Sequence, residues 1–245
     1  MQQQPTERDP VPILSVSRAL LESHQFDKTV ELLEKALREH IEPPEVYLLL
    51  AEAQKSLGKL EDAELSLQTG ILTHPRDTQL HLALARVYRD LGDYPDAIEV
   101  LMDVVSYTSD DDETWSLLGM MHELTGTLDQ AEIAYQRALR INPDRVMNYL
   151  GLAELLRKQG NPEQFQDLLQ RARSHLENEP YYCQAKLEAI DGNPELAMEL
   201  LRPALKQRPS VRYWACRDPG LENLHGLPEF RNAVHGEFKD YPNHT

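Results

Sequence analysis

The chain has 245 residues, 41% of them apolar and 27% charged, the composition of a folded protein rather than of a disordered one. Its 25 basic and 41 acidic residues leave a formal charge of −16, which repels phosphate backbones and makes nucleic acid a poor partner. No apolar run reaches the roughly 18 residues that insert in a bilayer, and the start from Met1 to Pro10 lacks the basic and apolar regions of a signal peptide, so a cytoplasmic protein is expected.

One pattern returns every 34 residues, at Ile13, Tyr47, His81, Trp115 and Tyr149, and once more at Tyr181 after an interval shortened by two. Three residues further on stand Val16, Leu50, Leu84, Leu118, Leu152 and Gln184. Each of these is followed by a small residue: Ser17, Ala51, Ala85, Gly119, Ala153 and Ala185. In chain order the first copy, 10–43, carries apolar residues at helical spacing and reverses at His24. The next five copies, 44–77, 78–111, 112–145, 146–177 and 178–209, reverse at Gly58, Gly92, Gly126, Gly160 and Gly192. The first helix must end there, because a left-handed backbone costs glycine least.

Five residues past each reversal, in a second helix, stand Thr29, Ala63, Ala97, Ala131, Phe165 and Ala197. It carries a large row, Leu33, Leu67, Leu101, Tyr135, Leu169 and Leu201, then a small one, Ala36, Gly70, Val104, Ala138, Ala172 and Ala204. Pro75, Pro143 and Pro209 close three copies, since proline cannot continue a helix. The alternation of large and small rows lets a bulky side chain of one helix enter the gap on its neighbour. The acidic run from Asp110 to Glu113 is expected to cap the helix that begins the fourth copy. Residues 210–235 change character and predict two short helices, with Trp214, Leu221, Leu224 and Phe230 packing on the sixth copy. Residues 1–9 and 236–245 are polar and expected to fray.

The large, leucine, small, glycine, alanine and proline positions, all present in Trp115, Leu118, Gly119, Gly126, Ala131, Ala138 and Pro143, make residues 10–209 resemble the tetratricopeptide repeat family. The ending is similar to the aspartate-proline, leucine and phenylalanine cap that follows the last repeat of bacterial members. The resemblance implies an all-α, right-handed superhelical solenoid of helix-turn-helix repeats, six of them here, closed by a C-terminal cap. It also implies that the first helices line a concave groove.

On that inferred groove the resemblance places Leu14, Leu48, Leu82, Leu150 and Tyr182 as an apolar stripe, with Arg18, Lys55, Arg86, Arg89, Met120 and Arg157 beside them. The expected function is a scaffold or adaptor that binds a segment of another protein, one with apolar anchors and acidic flanks. Alternatively these leucines pack against second helices, while Lys and Arg pair with Glu52, Asp90 and Glu154. A separate alternative is self-assembly into homo-oligomers through the terminal repeats or the convex face, since Val11, Ile13, Leu14 and Val16 have no preceding repeat to cover them. The clamp by which some family members hold chaperone tails would want lysine, asparagine and arginine where this chain has Leu14, Arg18, Leu49, Gln79 and Ala83, and is rejected.

No catalytic constellation, metal site or cofactor is expected. His122-Glu123 lacks the second histidine of a zinc-protease helix, and no glycine motif wraps a phosphate. Cys183 and Cys216 provide neither a disulfide framework nor a paired zinc site, and are expected to be free thiols.

Overall fold

A computed structural model describes residues 10–235; the two polar ends expected to fray lie outside the described residues. Every regular element among the described residues is helical: α1 (Val11–Glu22), α2 (Phe26–Arg38), α3 (Pro44–Ser56), α4 (Leu60–Thr73), α5 (Thr78–Leu91), α6 (Tyr94–Tyr107), α7 (Asp112–Leu124), α8 (Leu128–Ile141), α9 (Val146–Lys158), α10 (Pro162–Ser174), α11 (Tyr181–Ile190) and α12 (Pro194–Gln207). Two short 3-10 turns then alternate with α13 (Arg212–Ala215) and α14 (Pro228–His235).

The turns form as the glycine spacing requires. Gly58, Gly92, Gly126, Gly160 and Gly192 all take a positive φ, and His24 takes one of 56° in the equivalent place. At five of these six turns the next residue donates its N–H to the carbonyl five positions back: Gln25 to Leu20, Lys59 to Gln54, Thr127 to His122, Asn161 to Leu156 and Asn193 to Glu188, at 2.8 to 3.0 Å. This closes the last turn of the first helix and satisfies carbonyls that would otherwise lack partners. His40 and Asn178, at φ of 60° and 70°, follow second helices in the same left-handed region, which the sequence pattern did not signal. Side-chain caps open two of the first helices. Asp77 accepts from Leu80 N at 3.0 Å and opens α5, and Asp111 accepts from Thr114 N at 2.9 Å and opens α7, within the acidic run expected to do so.

The chain divides into two compact units, Met1–Gly92 and Asp93–Thr245. In the first, Leu14, Leu33, Val46 and Leu50 form a buried cluster, with Ile13, Val30, Leu37 and Leu49 packed against it. Gly70 of α4 is required by a close approach: a Cβ there would stand 2.8 Å from Cγ of Tyr47 on α3. In the second unit the large row carries Tyr135 instead of leucine, and the ring is 1% exposed. It fits because its two neighbours are glycines. A Cβ on Gly119 of α7 would lie 2.8 Å from the ring's Cδ1, and one on Gly151 of α9 would overlap the ring outright.

At the end of the second unit, Ala185, Ala189, Ala197, Met198, Leu201 and Leu205 of α11 and α12 share one core with Leu221, Leu224, Phe230 and Val234. Residues beyond Pro209 therefore cover the apolar side of the last hairpin. Asp218, fully buried, is the polar centre of this junction. It accepts hydrogen bonds from Tyr182 Oη (2.8 Å), Lys186 Nζ (2.8 Å), Trp214 Nε1 (2.9 Å) and the Gly220 N–H (2.9 Å). Four donors offset the desolvation of this carboxylate.

Candidate protein-binding surface

In the first unit the first helices α1, α3 and α5 lie side by side, each packed against its successor. Charged residues join them. Arg18 of α1, 53% exposed at its side chain, pairs with Glu45 of α3. Lys55 of α3 reaches Asp90 of α5 at 2.9 Å, and Arg89 closes on the other oxygen of the same carboxylate at 2.7 Å. Burial alone would raise the pKa of Asp90; the cations Arg89 and Lys55 bring it below the ordinary carboxylate value. Asp90 is therefore a buried anion held by two cations, each of them largely covered as well.

The second unit repeats the motif with the signs exchanged. Glu123 of α7, nearly buried, accepts from Lys158 Nζ of α9 at 2.8 Å. Lys55 to Asp90 and Glu123 to Lys158 are the same step of 35 residues, one repeat plus one position, with cation and anion swapped. Glu123 also accepts from Tyr135 Oη at 3.1 Å, and Arg157 holds buried Glu154 at 2.8 Å, with Glu222 3.8 Å away. Burial beside these carboxylates pushes the Tyr135 phenol well above its ordinary pKa. Further along, Arg173 of α10 binds Glu188 and Asp191 at 2.7 and 2.6 Å.

The residues anticipated on a groove separate into two sets. Leu82 and Leu150 are 0% exposed, and Leu14 and Met120 are 8% exposed, so these side chains are core and offer a partner little surface. Leu48, Arg86 and Tyr182 are half-buried. Arg18 and Arg157 are the most open of the set, at 53% and 44% of side-chain area, while Lys55 and Arg89 are nearly covered in their pair with Asp90. Tyr182 is committed through its hydroxyl to Asp218. The surface is thus built of partly neutralised cations over an aliphatic floor. The sequence named Asp90 and Glu154 as anions that pair with such cations; it did not reveal Glu45 as the partner of Arg18, nor the Glu123–Lys158 pair, although the recurring step of 35 residues was available as a signal.

Among the described residues no group of three His, Cys, Asp or Glu side chains could hold a metal ion. No helix among them is long and apolar enough to cross a membrane. Cys183 and Cys216 are free thiols, the first buried and the second half-buried.

Helical hairpins joined by left-handed turns, with first helices packed side by side within each unit, define an all-α protein of tandem repeats. Tetratricopeptide repeat models match residues 20–82, 82–146 and 125–187, and the chain belongs to the tetratricopeptide repeat family. It is 26% identical over 218 residues to tetratricopeptide repeat protein 21B of Xenopus laevis, a match covering 81% of this chain and 15% of that protein. It is 23% identical over 176 residues to the TPR repeat-containing protein YpiA of Bacillus subtilis, covering 68% of this chain and 39% of that one. The chain therefore spans well under half the length of both relatives. Among solved structures, PilF of Pseudomonas aeruginosa superposes with a TM-score of 0.61 at 13% identity, over 84% of this chain and 96% of that one, a likeness of fold.

Proposed function

We propose that the protein is an interaction scaffold that binds a segment of another protein on the surface of its first helices. The observation that carries this reading is the pair of cations on the first helices of the first unit, the exposed Arg18 and the half-buried Arg86, in a chain whose net charge is −16. Cations on the first helices of an otherwise acidic protein attract a partner with acidic flanks. The half-buried Leu48 supplies an apolar contact within reach of the same face. Two free thiols and the absence of a long apolar helix among the described residues support a cytoplasmic setting.

Affinity capture from native lysate tests the reading, with wild type beside Leu48→Glu/Arg18→Glu. Both side chains are accessible enough for the fold to tolerate the change, and circular dichroism verifies it. A protein retained by the wild type and lost from a folded double variant supports the proposal. Identical captures contradict it.

A second reading, self-association, is favoured by one observation: Val11 and Val16 of α1 are 63% and 50% exposed. Light scattering at high concentration decides it. A mass that stays at 28.1 kDa removes this reading.

A further inference from the structure

The last two turns of α8 carry Arg137, Arg140 and Ile141, and Asn142-Pro143 follows the helix end. With Asp110 from the loop before α7, these three line an open recess of about 440 Å³, within the range of about 300–1,000 Å³ typical of ligand sites. It lies on a second helix and its neighbouring loop, away from the first-helix positions discussed above.

The two arginines differ from other cations of this unit. Arg145, Arg157 and Arg173 each have a carboxylate oxygen at 3.2 Å or closer. Arg137 comes no closer than 3.8 Å to Asp110, whose side chain is 86% exposed, and its Nε is shielded from solvent without a hydrogen-bond partner. Arg140 is exposed and has no ion pair among the described residues. Nε itself is closed to a ligand; the remainder of the Arg137 side chain, 40% exposed, and exposed Arg140 present the charge that an incoming carboxylate meets.

The site is also pre-positioned. The Arg137 guanidinium lies 5.8 Å from the centre of the Trp115 ring, and that ring is fixed by Nε1 donating to the Ser109 carbonyl at 2.9 Å. The acidic run beside it is otherwise engaged: Asp111 caps α7, Asp112 binds Arg145 and Asn148, and Glu113 lies 3.4 Å from Arg145. Asp110, which accepts from Ser109 Oγ at 3.2 Å, is the member of the run that faces Arg137. Ile141 adds an apolar wall.

We propose that this recess is a second, independent docking site for an acidic peptide segment. A Glu or Asp carboxylate lies across Arg137 and Arg140, and the following apolar side chain rests on Ile141. Paired guanidinium groups match a carboxylate's two oxygens better than point charges do. The loosely held Asp110 occupies part of the site until the ligand displaces it.

The test uses the full chain immobilised and a random nine-residue peptide library, amidated at the C-terminus, with a fixed central Glu-Leu; the control library has Gln-Leu. The chain carries Leu48→Glu/Arg18→Glu, which removes the surface proposed above, and the expected result is at least tenfold preference for the Glu library, abolished when Arg137→Gln/Arg140→Gln is added. Asp110→Asn should raise retention of the Glu library at least twofold. Equal retention of both libraries overturns the proposal, as does a preference that survives in the arginine double variant. A preference shown by the wild type but absent from the Leu48→Glu/Arg18→Glu chain assigns the binding to the first helices and likewise overturns it. Matching thermal melts of the variants exclude unfolding as the cause.

Discussion

Replacing Gly151 by alanine should destabilise the protein, against the usual direction for a helix interior. Alanine in place of glycine favours a helix by about 1 kcal/mol. Here the new methyl carbon would stand against Cε1 of Tyr135, 2.7 Å from Cζ and 2.8 Å from Cδ1. The ring cannot swing aside, being 1% exposed and tied through its hydroxyl to Glu123 at 3.1 Å. Overpacking of this kind costs about 1–3 kcal/mol, and three overlapping ring atoms favour the upper end, so the net loss is about 2 kcal/mol. That lowers the melting temperature by roughly 4–8 °C for a chain of this size.

The decisive comparison is a double-mutant cycle with Tyr135→Leu, which restores the side chain used in most other repeats. That variant alone should lose about 3 kcal/mol, from a cavity and a lost hydrogen bond. In its background, Gly151→Ala should become neutral or stabilising by up to about 1 kcal/mol, a coupling of about 2–3 kcal/mol. Urea melts followed by far-ultraviolet circular dichroism read all four proteins. An alanine that stabilises the wild type, or that has the same effect in both backgrounds, refutes the packing account.

Three other expectations follow from the same structure. Asp218→Asn should cost about 3–5 kcal/mol, the range for breaking a buried ion pair, and should loosen the residues beyond Pro209 first, as hydrogen exchange would register. Burial alone would raise the Asp218 pKa, but Lys186 and its hydrogen-bond donors hold it below the ordinary value. This contribution is complete above the unfolded carboxylate pKa of about 3.9 and is lost as pH falls below it toward the folded value, so the gap between wild type and Asp218→Asn should narrow in acid. Lys55→Ala, which leaves Asp90 to Arg89 and its remaining contacts, should cost about 2 kcal/mol in the same melts. Burial pushes the Cys183 thiol far above its ordinary pKa, so iodoacetamide should label it only after unfolding while half-buried Cys216 reacts in the native protein, a difference that intact mass counts directly.

The helices and their turns were legible because backbone geometry imposes them on the sequence. A left-handed turn takes glycine at Gly58, Gly92, Gly126, Gly160 and Gly192, and the positive φ at His24 falls where the pattern placed the missing glycine. The packing of Tyr135 was written in the sequence too, in glycines at 119 and 151, but their coupling shows only once α7, α8 and α9 are neighbours in space. The surface was less legible. Leu82 and Leu150 occupy the helix face that borders both the core and the anticipated groove, and a one-dimensional pattern does not say on which side of that border a leucine falls. Arginine and lysine positions could be listed, yet their long side chains choose partners by reach. Lys55 finds Asp90 and Lys158 finds Glu123 because adjacent first helices align residues 35 apart.

Photo-crosslinking in the native lysate tests the central proposal most directly, with benzoylphenylalanine placed either at half-buried Leu48 of α3 or at Leu65, 65% exposed on α4. An interaction surface on the first helices predicts a discrete adduct of this chain with another protein from position 48 and none from position 65. An adduct from position 65 with none from position 48 would contradict it.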